Sequence, residues 1–592
     1  MLPPSPTLDP TTSAAGFLLV LSIIVPVVGV LLAFILGDRY VRLVPFAVLP
    51  IGLAIAAATI VALAQNDGPI VYLLGAWPPP LGIALRADGL SAVMMAVTAA
   101  VICAVAVFAA ADFSPAATET RAPFAFWILL LAIWGALNTI FLGGDLFTLY
   151  VALELLTFAA VPLVSLQGHA ETLRAAMRYL FFALLGSLLY LLGTALLYGQ
   201  HGTLDIVLLS RRVSAEPAAL IAAALMTTGL LAKTALFPLH LWLPPAHAGA
   251  PAAASAVLSG LVVKGSFFVI VRLWFNVMPG LPGFAAAQLL AALGGAAIVV
   301  GSVVALRQER LKHLIAYSTL AQIGYLFVMF PLSFGASGKL ESGGALAGGL
   351  LQAVSHATAK AAMFMAAGSI YAALGRDRIP ELGGAGRIVP ISVLTFALSG
   401  LALMGLPPSG AYLAKELLLQ AAAEREQWWW AVVLQGGGVF TAAYVLLVLR
   451  YAMAPASKQT ALDSAAPRIG ELAALALALC SLLLGLISWG AYLPIPHVDA
   501  TDKVGLGALS KALLPLLGGA VVAILLGRWE PPLGQPSRWK ALLVAVGPVR
   551  RAALTLSDFV ERCDTVLRQW PNACICLLSL AALFAASMWV AL

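Results

Sequence analysis

The stretch LLAKTALFPLHLWLPPAHAGAPAAASAVLSGLVVKGSFF, residues 230–268, sets Lys233 and Lys264 among residues apolar enough to lie in a membrane. His240, His247, Pro238, Pro244 and Pro245 share the segment. An ionisable side chain at the bilayer centre costs at least about 2.5–3.5 kcal/mol on insertion scales, and so marks a pathway or a site. Four more such groups follow the same logic. Glu154 stands about nine residues into an apolar run, near mid-membrane at a rise of about 1.5 Å per residue. HATAKAAMF puts His356 and Lys360 at i and i+4 on one helical face, and Lys415 follows a Pro-Pro pair in GLPPSGAYLAKE.

The chemistry these groups suit is proton transfer. A Glu154–Lys233 pair at about 4 Å and an effective dielectric of about 20 is worth roughly 4 kcal/mol. Moving either partner therefore decides whether the amine keeps its proton. Imidazoles need less help, since an unperturbed histidine titrates near 6.5. His356, one turn from Lys360, reads as a relay group. His240, His247 and His313 are possible relays, with hydrogen-bonded packing as the other reading for His247, and orientation of the chain for Lys312 and His313 at the mouth of a span. Arginine does not release a proton usefully, so Arg272 reads as a snorkelling group or half of an ion pair. Sodium would call for clustered carboxylates or unwound carbonyls. One carboxylate against four lysines favours protons.

These groups need membrane helices to hold them. Hydrophobic residues make up 62% of the 592 and charged ones 10%, far below the quarter usual in soluble domains. Apolar runs predict sixteen spans: 16–36, 43–64, 90–111, 123–143, 145–167, 176–199, 217–245, 252–278, 284–306, 312–332, 345–374, 389–422, 428–452, 469–493, 509–527 and 573–592. Of the 33 Lys and Arg, five fall inside spans; the remaining 28 divide 21 to 7 between the two faces. That asymmetry predicts an outside N-terminus and a cytoplasmic 528–572 connection. It also places the positive charge as topology signal rather than as a nucleic-acid surface.

Two spans carry helix breakers: Pro238, Pro244 and Pro245 in one, Pro407, Pro408 and Gly410 in the other. Lys233 precedes its break and Lys415 follows its own, which hints at related sites on opposite sides of the midplane. Paired breaks point to an inverted repeat around a transport site, with packing kinks as the alternative. Residues 71–90, around a triple proline, read as an outer-face hairpin. Residues 538–569 read as an amphipathic helix on the cytoplasmic surface or against a partner, or else as a solvated linker. The start lacks a basic n-region, so the first span is expected to be retained. Cys574 and Cys576 have no second ligand pair, and no iron–sulfur, dinucleotide or P-loop pattern occurs. No metal and no cofactor is expected.

Taken together and in this order, RADGLSAVM, YVALELLTF, LLAKTALFPLHLWLPPAHAGAP with LVVKG, LKHLIAYSTLAQIGY, HATAKAAMF and GLPPSGAYLAKELLL carry a resemblance. Over about residues 85–455 the chain resembles the antiporter-like subunits of respiratory complex I, membrane-bound hydrogenases and Mrp-type cation/proton antiporters. The resemblance implies an all-α polytopic fold with two inverted five-helix repeats, each with one broken helix. Its parts would be 1–111 with three spans, a first repeat at 112–278, a second at 279–455, and an extension at 456–592 ending in a lateral segment and a last span. It implies Glu154 modulating Lys233, Lys264 connecting, His356 and Lys360 as central relay, and Lys415 on the second broken helix. It further implies other membrane subunits as partners, lipid around them, and an energy-coupling membrane such as the bacterial plasma membrane. Three functions follow as expectations: proton translocation within a larger complex, sodium/proton exchange, or proton conduction for a soluble partner enzyme such as one handling inorganic carbon.

Overall fold

The computed structural model describes residues 11–66, 68–113, 122–335, 338–455, 468–493, 506–525 and 547–589. In lipid every backbone group must find its partner within the protein, so long apolar runs become helices. Among the described residues fourteen helices are long and apolar enough to cross a membrane. Two further expected spans form shorter apolar helices, Pro390–Met404 and Leu513–Leu525, the latter within a helix over Leu506–Leu525.

The chain opens with α1 (Phe17–Tyr40), α2 (Leu43–Ala64), strands β1 (Ile70–Leu73) and β2 (Ala84–Ala87), and α3 (Gly89–Asp112). The two strands pair antiparallel with Ile70 opposite Ala87, giving the hairpin expected at 71–90. There follow α4 (Ala122–Leu142), α5 (Leu146–Val164), α6 (Ala170–His201), the short α7 (Ile206–Arg212) and α8 (Pro217–Thr234). Beyond these come α9 (Leu243–Gly249) and α10 (Ala252–Val277). The second half contains α11 (Phe284–Arg307), α12 (Leu311–Leu332), α13 (Gly344–Leu374), α14 (Pro390–Met404), α15 (Gly410–Glu424) and α16 (Trp428–Met453). The C-terminal part supplies α17 (Arg468–Leu483), α18 (Leu506–Leu525), α19 (Gly547–Leu567) and α20 (Trp570–Trp589).

The expected span 217–245 is not one helix. α8 stops at Thr234, Ala235 takes φ 59°, and the chain restarts at Leu243. Pro238 offers no backbone donor, and Trp242 Nε1 reaches back to donate to the Ala232 carbonyl in the last turn of α8 at 3.0 Å. The expected span 389–422 likewise splits into α14 and α15 around Gly405, at φ 83°. There Ser409 serves both ends: its hydroxyl donates to the Ala402 carbonyl at 3.2 Å and accepts from the Tyr412 amide at 3.1 Å. The expected span 469–493 is helical to Leu483 and continues as 3₁₀ turns. Of the amphipathic segment, 538–546 lies outside the described residues; 547–567 is helical as expected.

Neighbour relations repeat along the chain. α4 packs on α5, α5 on α6, α6 on both α8 and α9, α8 on α10, and α10 on α4. Five spans later α11 packs on α12, α12 on α13, α13 on both α14 and α15, α14 on α16, and α16 on α11. α10 then meets α13 across the middle, with both α10 and α12 buried along their apolar length. Large apolar side chains such as Ile35, Phe158, Leu188 and Leu578 point outward, as lipid-facing surfaces require.

Glycines bring several of these helices together. A Cβ on Gly229 of α8 would lie 2.2 Å from the Gly186 carbonyl oxygen of α6, and one on Gly186 would lie 2.6 Å from that of Gly229. Gly229→Ala is therefore expected to push α8 off α6 and cost about 1–3 kcal/mol. It should also move Lys233, one turn further along the same face. Gly436→Ala, where nothing stands within 4 Å of the added methyl, is the matched control and should be neutral or mildly stabilising. Thermal unfolding of the two variants in detergent checks this.

Candidate functional site

Lys233 is the penultimate residue of α8, so the backbone break places its amine where helix ladders leave room for polar contacts. Its Nζ lies 2.9 Å from Glu154 Oε1 of α5. It also donates to Thr157 Oγ1 at 2.9 Å and to the Leu153 carbonyl at 3.3 Å. Glu154 in turn accepts from Ser187 of α6. Each member of the ion pair thus also has neutral partners of its own. Beside the pair, Thr234 Oγ1 donates to Ser266 Oγ of α10 at 2.9 Å. A cavity of about 10 Å³, close to the volume one water needs, lies between Lys233, Thr157, Val262 and Ser266.

α10 carries a π turn over Leu258–Val262, a rare ladder defect found often at functional sites. Lys264 is fully buried and donates to the Ser259 carbonyl in that turn at 2.5 Å. Ser259 Oγ meets Thr319 Oγ1 of α12 at 2.9 Å. The adjacent residue, Ser318, accepts from Lys360 Nζ at 2.5 Å. Neighbouring hydroxyls on α12 therefore stand between Lys264 of the first half and Lys360 of the second. His356 and Lys360 share one face of α13 and are both fully buried.

The histidines in and near this site differ in their surroundings. Both ring nitrogens of the buried His356 and His247 lack a hydrogen-bond partner among the described residues. His356 is within electrostatic reach of Lys264 and Lys360, and His247 of these and Lys312. His247 also stacks on Phe364 at 4.8 Å between ring centroids. His313 lines a cavity of about 340 Å³ with Glu171, Arg310 and Arg568. A second cavity, of about 620 Å³, shares Glu171 and Arg310 and is bordered by Lys312 and Asp377. Both reach Ala248 and Gly249, the chain neighbours of His247. Lys415 lies in the second turn of α15, with its side chain over the break at Gly405 and its Nζ against Gly438 of α16. Arg272 is half of an ion pair: its guanidinium grips Asp88, just after the hairpin, at 2.5 and 2.6 Å.

Residues 143–441 match the family model described as NADH:quinone oxidoreductase/Mrp antiporter, TM. The chain belongs to this family. It is 32% identical over 444 residues to an NADH-quinone oxidoreductase subunit of Desulforudis audaxviator, covering 73% of this chain and 86% of that one. It is 29% identical over 408 residues to a Na(+)/H(+) antiporter subunit of Alkalihalophilus pseudofirmus, covering 68% and 80%. The fold matches the solved Mrp complex from a Dietzia species at a TM-score of 0.70 and 24% identity, across 86% of this chain and 97% of that one. It matches a membrane-bound sulfane sulfur reductase, an archaeal respiratory membrane complex, at 0.71 and 24%, across 86% and 99%.

Two features of this family member lie beyond what its sequence suggests. His240, in the first break, has its Nε2 2.7 Å from Asp564 Oδ1 of α19, and both side chains are buried. Tyr317 of α12 donates to Asp564 Oδ2 at 2.8 Å, and Arg568 Nε to the same oxygen at 2.9 Å. Arg307, ending α11, adds pairs to Asp558 at 2.7 Å and Glu561 at 3.1 Å. The charged face of α19 thus docks on the chain itself, while Val549, Leu556, Phe559 and Val566 stay exposed. Secondly, Glu471 of α17 is buried and accepts from Ser392 of α14 at 2.5 Å. Neither Asp564's partners nor Glu471's burial had a local signal, although the amphipathic pattern of 547–567 did mark α19 as a helix with a polar face to satisfy.

Proposed function

We propose that this chain translocates protons across an energy-coupling membrane as one subunit of a larger complex. The observation that carries the reading is the Lys233–Glu154 pair, buried between α5 and α8 one turn from a backbone break. Closing the pair holds the ammonium; opening it leaves a charge in low dielectric, which is relieved by giving the proton away. The Ser187 hydroxyl and the Thr157 hydroxyl give the separated carboxylate and amine somewhere to rest. The released proton has a receiver in Lys264, and beyond the Ser259–Thr319 and Ser318 hydroxyls in Lys360 and His356. Lys415 is the last station.

The recurring neighbour pairs of the two halves support two five-helix repeats, and an odd number of spans inverts the second relative to the first. The asymmetry of the loop charges supports an outside N-terminus, which puts the cavities beside His247 and His313 on the cytoplasmic face and makes them the uptake vestibule. Release is then to the outside, past Lys415. Names of the relatives, subunits of quinone oxidoreductases and antiporters, support a partner that supplies the charge movement at Glu154.

A second reading has one observation in its favour, the likeness to the Na(+)/H(+) antiporter subunit of Alkalihalophilus pseudofirmus. The native complex, purified and placed in liposomes with an internal pH dye, separates the two. Proton flux that persists with sodium omitted is the expected result. Flux that appears only with sodium overturns proton translocation in favour of exchange.

A further inference from the structure

Lys360 and Lys415 stand on different helices, and no hydrogen bond joins them directly among the described residues. What lies between them is a polar cluster inside otherwise apolar packing. Ser318, which accepts from Lys360 and donates to the Ile315 carbonyl at 2.8 Å, interacts electrostatically with Tyr444 of α16, as does Gln322. Tyr444 OH donates to Thr441 Oγ1 at 3.2 Å. Gln322 Nε2 donates to the same Thr441 oxygen at 3.2 Å, and Gln352 Nε2 donates to Gln322 Oε1 at 2.9 Å. All six side chains are buried, Tyr444, Ser318, Gln322 and Lys360 fully so. Thr441 Oγ1 donates to the Gly437 carbonyl at 3.0 Å, a turn back along α16. There Lys415 Nζ lies 3.1 Å from where a Cβ on Gly438 would sit. The amine fits against α16 because residue 438 has no side chain.

Burying this much polarity in a membrane core costs free energy unless every group is satisfied, and here the satisfied groups form one line. We propose that Tyr444 is the relay residue between Lys360 and Lys415, that Gln322 and Gln352 are positioning residues which fix Thr441 and through it the phenol, and that the backbone at Gly438 is the docking seat of the Lys415 amine. The transfer is a hydroxyl shuttle. Lys360 ammonium gives a proton to Ser318 Oγ, whose own hydrogen turns from the Ile315 carbonyl and passes to Tyr444 O. The phenol hydrogen passes along Thr441 and, through bridging water, to the neutral Lys415 amine. Each hydroxyl gains one proton and yields one; the net change is that Lys360 loses the proton Lys415 gains.

This rests on the proton-relay reading of the chain, so the test carries Lys233→Ala beside it in the same reconstituted complex. Tyr444→Phe keeps the ring and removes the hydroxyl; Thr441→Val keeps the shape, and Thr441→Ser keeps the hydroxyl. Gly438→Ala crowds the amine, which must shift by a few tenths of an ångström. Tyr444→Phe and Thr441→Val are expected to cut proton flux at least tenfold in complexes that assemble normally, with Gly438→Ala lowering it by less and Thr441→Ser close to wild type. The ratio of flux in H₂O to that in D₂O should rise in Tyr444→Phe, because a slower proton step takes over; a purely structural role leaves that ratio alone. If Lys233→Ala stops flux while Tyr444→Phe and Thr441→Val run at the wild-type rate and isotope ratio, this route is wrong and the wider relay stands. If Lys233→Ala itself runs at full rate, both fall.

Discussion

Lys233→Arg is expected to leave the chain folded and assembled yet to reduce proton translocation at least a hundredfold. A guanidinium of that length still reaches Glu154, so the buried pair that Lys233 makes at 2.9 Å is preserved in charge. What is lost is the ability to release a proton, because arginine stays charged at any working pH. Lys233→Ala should abolish flux as well, but by a rougher route. It leaves Glu154 with the Ser187 hydroxyl as its remaining donor, and breaking a buried pair typically costs about 3–5 kcal/mol. Glu154→Gln is the complementary case: the amide keeps a contact to the amine but no longer holds its charge, and flux should fall with little change in stability. Dye-monitored flux alongside thermal unfolding reads both quantities. An arginine variant that pumps at the native rate would falsify the claim that Lys233 itself gives up a proton.

The six ionisable groups were visible in the sequence for a simple reason. A lysine or glutamate in a long apolar run violates the composition around it, and the violation survives any uncertainty in helix ends. The breaks were equally open to reading, since Pro238 and the Pro407–Pro408 pair remove donors wherever they fall. Residues that join the stations were hidden by being ordinary. Ser318, Thr319, Gln322, Thr441 and Tyr444 are neutral, common in membrane helices, and acquire meaning only when α12 is set against α10, α13 and α16. A π turn leaves no trace in hydropathy either, yet the turn at Leu258–Val262 carries the carbonyl that holds Lys264. Glu471, three residues beyond Arg468, is indistinguishable in sequence from a charge that ends a span. The partner of His240 was hidden on similar grounds, since Asp564 stands 324 residues away in the chain.

Asp564→Ala is expected to release α19 from the body of the protein. The carboxylate is the shared acceptor for His240, Tyr317 and Arg568, and with 1% of its surface exposed it has almost no water to fall back on. Its removal leaves a buried imidazole and a buried phenol without their partner, a loss of about 3–5 kcal/mol. Arg307→Ala, which cuts the half-exposed pairs to Asp558 and Glu561, should cost no more than about 1 kcal/mol and leave the helix docked. Hydrogen exchange over 547–567 separates the two: rapid exchange in Asp564→Ala, near-native protection in Arg307→Ala. Acid should mimic the first variant. Burial alone would raise the Asp564 pKa, but the hydrogen bond and charge of His240, with Arg568 and Tyr317, outweigh it and hold the carboxyl below its usual range. A depressed carboxyl contributes its stabilisation above the unfolded value, about 3.9, and loses it as pH falls through the lower folded one. Protection of α19 should therefore persist through neutral and mildly acidic pH and vanish only below that range. A cycle with His240→Ala completes the test, because two residues that stabilise α19 only through each other must be non-additive: once Asp564 is gone, losing His240 should cost little more.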